Sequence, residues 1–248
     1  MELEGQRILV VGASSGLGRA AAIGLAQGGA RVAFAARRGD LTAAAAAEVG
    51  NGAIGLSCDV CDAASCDAVV ASTVEAFGGL DAVVFTAALG TLGRLEDTGD
   101  DVWARAFAVN VTGASLITRA AMPHLEAVRG VIVYFSSMAG SFSEPWPGLG
   151  VYASTKAALE RMVESWELEH RTVRFTRFVV GPSIGDEASP SEFVREFDPE
   201  VAVALMPEWS EMDRFGLNLV LPDDITKALT AILTMQATIP YMAILPPS

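Results

Sequence analysis

The sequence predicts an α/β fold in which one doubly wound parallel sheet is covered by helices on both faces. Three observations predict it. Apolar segments of strand length alternate with Ala-rich segments of helical length, the strand segments are apolar throughout, and the first of them runs into a glycine-rich turn. Strands with helices on both faces are apolar on both sides, and right-handed crossovers then wind the chain in both directions across the sheet.

Strand and helix segments follow one another along most of the chain. Six strands are predicted, at residues 7–11, 31–36, 53–58, 80–86, 130–135 and 173–180. Six helices are predicted, at residues 17–27, 41–49, 63–77, 100–127, 151–170 and 223–235. There is no internal repeat and no linker, so the prediction is a single Rossmann-type domain over residues 1–248.

The least regular part of the sequence is residues 181–221. Its helical patterns are interrupted or followed by five prolines, Pro182, Pro190, Pro199, Pro207 and Pro222. Proline lacks an N–H donor and clashes with the preceding turn, so no long helix is expected here. Because a long loop in a compact domain usually covers a binding site, we expect a substrate lid at about residues 186–215.

The composition restricts the classes of partner and compartment. With 17 Lys and Arg against 30 Asp and Glu, a formal net charge of −13, the chain lacks the basic surface of a nucleic-acid binder. No apolar segment approaches the roughly 20 residues of a membrane span, and residues 1–5 show no leader pattern. The crowded Cys58, Cys61 and Cys66 suit a reducing cytoplasm, and one CxxC far from both histidines predicts no metal site.

A glycine-rich turn joins the first strand to the first helix. Free N–H groups and the helix dipole at such a position attract a pyrophosphate. Gly12 permits the tight turn, Gly16 lets the ligand approach the backbone, and Gly18 lets the helix pack against the sheet. The predicted cofactor contacts in this turn are Gly12, Ser14, Ser15, Gly16, Leu17 and Gly18.

The end of the second predicted strand indicates which dinucleotide binds. Folds of this kind that prefer NAD place an acid about 20 residues after the turn to bind the ribose 2′-hydroxyl. This chain has Ala36 followed by Arg37 and Arg38, whose guanidinium groups suit a 2′-phosphate. The sequence therefore predicts NADP(H) in preference to NAD(H), the alternative being that both arginines are solvated surface charges.

Tyr152 and Lys156 are spaced to share one face near the start of a predicted helix. An ammonium about 4 Å from a phenolate, at an effective dielectric near 20, attracts it by on the order of 4 kcal/mol. We therefore expect the pKa of Tyr152 to be lowered by up to roughly three pH units, which would make it a general acid and base near neutral pH.

Five segments occur in a fixed order around the predicted sheet, namely residues 12–18, 58–60, 109–113, 136–137 and 152–156. Together they resemble the short-chain dehydrogenase/reductase family, and the resemblance covers nearly the whole chain through Gly181. It implies a catalytic set of Asn110, Ser137, Tyr152 and Lys156. The further cofactor contacts that it implies are Asp59, Val60, Ala87, Asn110, Tyr152, Lys156, Gly181, Pro182 and Ile184.

The resemblance also implies a role for each catalytic position. Tyr152 would exchange a proton with the substrate oxygen, Lys156 would lower the pKa of Tyr152 and hold the nicotinamide ribose, and Ser137, rather than Ser136, would orient the carbonyl group. Asn110 would hold a water that relays protons to Lys156. Beside the cofactor, Asp59 would accept from the adenine amino group and Val60 would pack on its ring.

Several positions depart from the family pattern. Phe85-Thr86-Ala87-Ala88 stands where the family usually has Asn-Asn-Ala-Gly, and Val180-Gly181 stands where it has Pro-Gly. A threonine that commonly contacts the nicotinamide is replaced by Gly185, and residues 240–248 lack the usual glycine-rich ending. These differences predict a divergent member of the family.

The predicted function is hydride transfer between NADP(H) and a small, apolar alcohol or carbonyl substrate. Two alternatives stay open, a regulatory protein that binds dinucleotide without turnover and a dehydratase or epimerase. Family members often pair the helices that carry Asn110 and Tyr152, which implies a homodimer or homotetramer. The candidate pocket residues, some of which could instead be ordinary core, are Phe142, Trp146, Leu149, Met206, Trp209, Met212 and Phe215.

Overall fold

The computed structural model describes residues 2–183, 192–195, 197–212 and 218–247. It confirms the predicted fold class, because the described chain forms one parallel sheet with the strand order β3-β2-β1-β4-β5-β6-β7. The strands are β1 (Arg7–Val11), β2 (Arg31–Ala36), β3 (Ile54–Ser57), β4 (Ala82–Phe85), β5 (Val131–Ser137), β6 (Arg174–Val180) and β7 (Tyr241–Ile244).

Helices connect the strands and cover the sheet. They are α1 (Gly16–Gln27), α2 (Gly39–Val49), α3 (Ala63–Phe77), α4 (Asp100–Phe107), α5 (Gly113–Val128), α6 (Gly150–Glu169), α7 (Pro199–Glu211) and α8 (Pro222–Thr234). The predicted helix 100–127 is thus α4 and α5, joined by a π-helical turn at Ala108–Thr112. A second π-helical turn, Met138–Phe142, follows β5, and short 3₁₀ turns lie at Leu95–Asp97 and Glu192–Val194.

Two apolar layers hold the helices to the sheet. Alternate strand residues, such as Ile8 and Val10 of β1, pack with α1, α2 and α8 on one face. Their neighbours Leu9 and Val11 belong to the layer under α3, α5 and α6 on the other face. Burial on both faces explains why the strand sequences are apolar throughout. Among the described helices, none is long and apolar enough to cross a membrane.

The segment after β6 corrects the sequence interpretation. The expectation that its prolines prevent a long helix is wrong, because α7 spans 13 residues. Pro199 occupies the first turn, where no N–H donor is needed, and the carboxylate of Asp198 accepts from the Glu200 N–H at 2.8 Å. Pro207 lies inside the helix. The side chains of Leu205 and Trp209 are buried and hold the helix against the rest of the protein.

The seventh strand was also absent from the sequence prediction. β7 pairs in parallel with β6, from Arg177 opposite Tyr241 to Val180 opposite Ile244. Its four residues are only partly buried, as expected at the edge of a sheet. A short, half-exposed apolar segment carries a weaker strand signal than the fully buried central strands.

The strand order reverses between β1 and β4. The chain leaves β1 toward β2 and β3 on one side and continues from β4 toward β5 and β6 on the other. Connections that diverge from the carboxyl ends of two adjacent strands leave a crevice between them, which is where open α/β sheets bind ligands.

Candidate active site

A cavity of about 1110 Å³ opens at this crevice. The ends of β1, β2, β5 and β6 contribute Val11, Ala36, Phe135 and Val180 to its wall. The cavity extends from the glycine-rich turn to the amino-terminal part of α6, so one continuous space reaches both the predicted dinucleotide contacts and Tyr152.

The glycine-rich turn has the geometry of a phosphate cradle. Gly12 has a positive φ of 98°, which only glycine adopts readily, and its N–H donates to the Ala35 carbonyl at 2.7 Å. A Cβ at Gly12 would collide with the backbone of Ala87. A Cβ at Gly18 would collide with the Gly12 carbonyl oxygen and the Thr86 hydroxyl. The turn and the start of α1 therefore leave backbone surface open to an anionic ligand.

Thr86 takes part in this packing although it departs from the family pattern. Its hydroxyl donates to the Val11 carbonyl at 2.8 Å, which joins the ends of the adjacent strands β1 and β4. The same oxygen lies where side chains at Gly12 or Gly18 would stand. Thr86 thus supports the floor of the cradle.

The two predicted 2′-phosphate arginines differ in their surroundings. The guanidinium of Arg38 donates to the hydroxyls of Ser14 and Ser15, at 3.0 Å each, and is only partly exposed. Arg37 is exposed, and both arginines line the cavity. Arg38 is therefore the arginine that the structure fixes beside the glycine-rich turn.

The predicted adenine contacts lie beyond this turn. Asp59 and Val60 line the cavity just after β3. The Asp59 carboxylate accepts from the Cys61 N–H at 2.9 Å, and Val60 is buried against Gly113, where an added Cβ would meet it. Asp59 is thus held by the local backbone, and Val60 is held against the start of α5.

Ser137, Tyr152 and Lys156 meet at the other end of the cavity. Tyr152 and Ser137 both line the cavity, the side chain of Ser137 lowers the pKa of Tyr152 slightly, and Tyr152 is buried. The Lys156 ammonium lies 5.7 Å from the centre of the Tyr152 ring and donates to the Phe135 carbonyl at 2.7 Å. The hydroxyl of Ser136 turns away to Glu160, at 2.5 Å.

The electrostatics of this pair correct the sequence-based expectation. Burial raises the pKa of Tyr152 to about 12, against a smaller lowering by the Ser137 hydrogen bond, so the expected lowering is wrong for this structure. Burial lowers the pKa of Lys156 to about 8, with Glu160 opposing that change. The Lys156 ammonium contacts a carbonyl group and lies over the face of the phenol ring. Loss of water on burial is therefore the largest influence on the pKa of both residues.

Asn110 joins two elements beside this cluster. Its amide group donates to the Leu89 carbonyl at 3.0 Å and to the Thr155 hydroxyl at 2.9 Å, and its oxygen accepts from the Leu89 N–H at 2.7 Å. These contacts tie the loop after β4 to α6. The water-holding role that the resemblance implies for Asn110 stays a prediction.

The structure brings most of the predicted site residues to one cavity. Those that line it are Gly12, Ser14, Ser15, Leu17, Gly18, Arg37, Arg38, Asp59, Val60, Ala87, Ser137, Tyr152, Lys156, Gly181 and Pro182. Gly16 begins α1, with a positive φ of 55°, and Asn110 is buried behind the wall. Ile184 and Gly185 lie outside the described residues.

The substrate end differs from the predicted apolar pocket. Trp146 and Leu149 line the cavity, whereas Phe142 and Met206 are exposed at the surface. Trp209 packs on Trp146, with ring centres 5.7 Å apart, and donates to the Pro147 carbonyl at 2.8 Å. Met212 is not part of the described wall, and Phe215 lies outside the described residues.

Sequence analysis missed three residues near Tyr152. Phe193 packs edge-on against the Tyr152 ring, with centres 4.8 Å apart, and a Cβ at Gly90 would collide with it. Met138 lines the cavity next to Ser137. Glu160 is 4% exposed and lies one helical turn beyond Lys156. The spacing Tyr152, Lys156, Glu160 was the available signal for the last of these.

Among the described residues, no group of three or more His, Cys, Asp or Glu side chains could hold a metal ion. The three cysteines carry free thiols, two of them buried. The cavity wall offers the hydroxyl groups of Ser137 and Tyr152, the ammonium ion of Lys156 and the backbone of the glycine-rich turn.

The pattern of the short chain dehydrogenase family matches residues 6–187. The chain is 31% identical over 212 residues to the inactive 2-(S)-hydroxypropyl-CoM dehydrogenase 2 of Xanthobacter autotrophicus, covering 84% of this chain and 89% of that protein. It is 36% identical over 185 residues to the 2,5-dichloro-2,5-cyclohexadiene-1,4-diol dehydrogenase of Sphingobium indicum, covering 72% and 73%. Among solved structures, an alcohol dehydrogenase of Thermococcus sibiricus complexed with 5-hydroxy-NADP superposes with a TM-score of 0.79 at 25% identity, covering 96% and 95%.

Proposed function

The chain belongs to the short-chain dehydrogenase/reductase family, and we propose that it transfers hydride between NADP(H) and a small, apolar alcohol or carbonyl compound. The observation that carries this proposal is that Ser137, Tyr152 and Lys156 line one end of the same cavity, with Lys156 one helical turn from Tyr152. A hydroxyl pair at the end of a dinucleotide-sized cleft suits the polarisation and protonation of a carbonyl oxygen.

The proposed chemistry in the direction of reduction divides into binding and proton transfer. The nicotinamide supplies the hydride to the carbonyl carbon. Ser137 donates a hydrogen bond that orients the carbonyl oxygen, and Tyr152 gives that oxygen its proton, so that the product is the alcohol. The raised pKa of Tyr152 keeps it protonated at neutral pH, as a proton donor requires. Lys156, one helical turn from Tyr152, supplies a positive charge at this end of the cavity.

The proposed cofactor preference rests on Arg38. Its guanidinium is held at the edge of the glycine-rich turn by two serine hydroxyls, and Ala36 brings no competing acid to the end of β2. A 2′-phosphate would gain charge-assisted hydrogen bonds there. Among the related solved structures, one contains an NADP derivative and another contains NADH, so they support a nicotinamide dinucleotide and the preference rests on Arg38.

The proposed substrate class rests on the wall around Tyr152. Met138, Trp146, Leu149 and Phe193 give it apolar and aromatic surface. Such surface favours a small apolar molecule with one reactive oxygen. The relative named as a dichlorocyclohexadiene diol dehydrogenase supports the proposal of a compact cyclic alcohol or ketone.

The alternatives make different demands on the same site. A regulatory dinucleotide-binding protein needs no proton donor, and one relative is named inactive. A dehydratase or epimerase would hold the cofactor through the reaction without net consumption. The retained Tyr152, Ser137 and Lys156 cluster favours turnover of a carbonyl substrate. A homodimer or homotetramer in the cytoplasm completes the proposal.

The decisive experiment follows NADPH oxidation with a panel of cyclic and aromatic ketones and aldehydes, with alcohol product measured in parallel. Tyr152→Phe should lower turnover by about 10²- to 10⁴-fold while cofactor affinity stays near the wild-type value, since only one hydroxyl is lost. Tyr134→Phe is the matched control, because the Tyr134 hydroxyl contacts Thr118 in the core and should leave turnover largely intact. Full activity in Tyr152→Phe would refute the mechanism.

A further inference from the structure

Glu160 is a buried carboxylate for which the proposed reaction has no direct use. It lies on the same face of α6 as Tyr152 and Lys156 and is 4% exposed. An ionised group so far from solvent is costly unless other groups compensate its charge. The groups that compensate the charge of Glu160 therefore indicate its role.

Two serine hydroxyls compensate the carboxylate. One oxygen accepts from Ser136 at 2.5 Å, and the other accepts from Ser141. Ser136 is the residue before Ser137 on β5, and Ser141 lies in the π-helical turn that follows it. The carboxylate thus holds the chain on both sides of Ser137, whose own side chain accepts from the Ala139 N–H at 3.2 Å.

The same carboxylate acts on Lys156 through its charge. Burial lowers the pKa of Lys156, and the negative charge of Glu160 raises it. Tyr152 and Glu160 accompany Lys156 on α6. The charged or titratable groups of the elements around that helix are Tyr134 of β5, Arg174 and Arg177 of β6, Tyr241 of β7, and Asp100, Asp101 and Arg105 of α4.

Most of these groups have other partners. The Tyr134 hydroxyl pairs with Thr118, Arg177 is engaged by Glu164, and Arg174 donates to the Ile232 carbonyl. The three groups of α4 are exposed. Tyr241 is partly buried and stacks under Arg177. Glu160 is consequently the anion that acts on Lys156 from inside the core.

We infer that Glu160 is a positioning residue, which holds the chain on both sides of Ser137 and supplies the buried negative charge that keeps Lys156 an ammonium ion. The link to catalysis rests on the proposed function. The contacts and the charge effect do not, so they are tested on the protein without any substrate.

The lysine content allows a direct measurement, because Lys156 and Lys227 are the only lysines in the chain. Protein labelled with ¹³C- and ¹⁵N-lysine should give two titrating side chains by NMR, and the exposed Lys227 serves as the internal reference. Glu160→Gln removes the charge and keeps the size. It should increase the acid dissociation constant of Lys156 roughly tenfold and leave Lys227 unchanged.

Two further variants separate charge from contact. Glu164→Gln is the matched control, since it removes a carboxylate from the same helix at a half-exposed position, and it should not change the titration of Lys156. Glu160→Asp keeps the charge but is too short to reach both serines. It should leave the titration of Lys156 near wild type while the Ser143 amide, bonded to the Met138 carbonyl at 2.8 Å, exchanges its hydrogen faster.

Each outcome decides one part of the inference. Equal titration of Lys156 in wild type, Glu160→Gln and Glu164→Gln would overturn the charge effect. Unchanged exchange at Ser143 in Glu160→Asp and in Ser141→Ala would overturn the positioning of the turn. If the NMR and exchange results are as expected but no carbonyl compound is reduced, the proposed function fails and the role of Glu160 in the fold stands.

Discussion

Helix α1 lines the cavity through Leu17 and Gly18, whereas α7 lies behind the wall, where Trp209 packs on Trp146. The two helices are nearly equal in length, at 12 and 13 residues. α1 buries six residues, among them Gly16 and Gly18, and both helical neighbours and strands enclose it. α7 buries only Leu205 and Trp209, and leaves Val203 and Met206 exposed. The helix that follows the glycine-rich turn is therefore built into the core, whereas α7 is attached to the core by few buried side chains.

Under the proposed function, this difference would let a shared cofactor site and a particular substrate site coexist in one fold. Close packing around Gly12 and Gly18 tolerates little change, because their neighbours are backbone atoms and the Thr86 hydroxyl, which is fixed by its bond to the Val11 carbonyl. A helix held by two buried side chains can vary in sequence and shift in position at low cost. Changes at the two ends should consequently differ in kind and in size.

The largest effect is expected at the nucleotide end, from Gly18→Ala. The new Cβ would meet the Gly12 carbonyl and the Thr86 hydroxyl, so α1 must move away from the cradle. We expect a loss of unfolding free energy near the upper end of the 1–3 kcal/mol that overpacking costs, together with loss of cofactor binding. Gly93→Ala is the control, as its Cβ would meet nothing closer than 3.4 Å. Chemical denaturation measures the unfolding free energy, and calorimetric titration measures cofactor affinity. A normal cofactor affinity in Gly18→Ala would contradict the role of the glycine-rich turn in cofactor binding.

At the Tyr152 end of the cavity, Lys156→Met tests the cost of a buried ammonium. The pKa of Lys156 falls from 10.5 to about 8 on folding, so between these values the unfolded chain binds the proton that the folded chain has lost. The contribution of Lys156 to unfolding free energy therefore rises with pH from about 8 to 10.5, by about 3 kcal/mol at most.

Lys156→Met abolishes this slope, so its stability relative to wild type should be highest below pH 8 and should decline as pH rises. The Phe135 carbonyl loses its donor in the variant, which reduces the gain at every pH. Lys227→Met removes an exposed lysine and should show no such pH dependence. Urea unfolding from pH 7 to 10 measures the difference, and parallel curves for Lys156→Met and wild type would contradict the burial effect.

Cofactor choice should respond next, and the two arginines should respond unequally. Arg38→Ala should reduce the preference for NADP(H) over NAD(H) by about tenfold to a hundredfold, because a charge-assisted contact contributes about 1.5 to 3 kcal/mol. Arg37→Ala should have the smaller effect, since Arg37 is exposed whereas serines hold Arg38. Ala36→Asp should reverse the preference by repelling the 2′-phosphate. Dissociation constants for both cofactors test this, and equal wild-type affinities would show that the arginines are surface charges.

The smallest effect is expected at α7, where ligand should change the protection of backbone amides against hydrogen exchange without changing the fold. α7 has few buried contacts, so its amides should exchange faster than those of α1 in the protein without ligand. NADP(H) with a bound substrate analogue should slow exchange in Pro199–Glu211, as closure of a lid at 186–215 requires. Hydrogen exchange with mass spectrometry compares the two helices. Equal protection of α7 with and without ligand would contradict the lid.

The accuracy of the sequence prediction follows the same division. The bounds of β1, β2 and α3 agree with the structure residue for residue. α7 was missed although Asp198-Pro199-Glu200 is a recognisable helix start, because the prolines were interpreted only as helix breakers. Arg38 was placed correctly at the cavity, but nothing in the sequence separated it from Arg37.

Local patterns were sufficient for strands β1 to β6, the glycine-rich turn and the spacing of Tyr152 and Lys156, because each depends on residues close together in the chain. The properties of the site depend on residues far apart. The pKa of Tyr152 rises because surrounding elements exclude water, and Glu160 is compensated by serines that lie 24 and 19 positions before it. Burial and charge compensation are produced by packing between distant segments, and this packing exists only once the chain has folded.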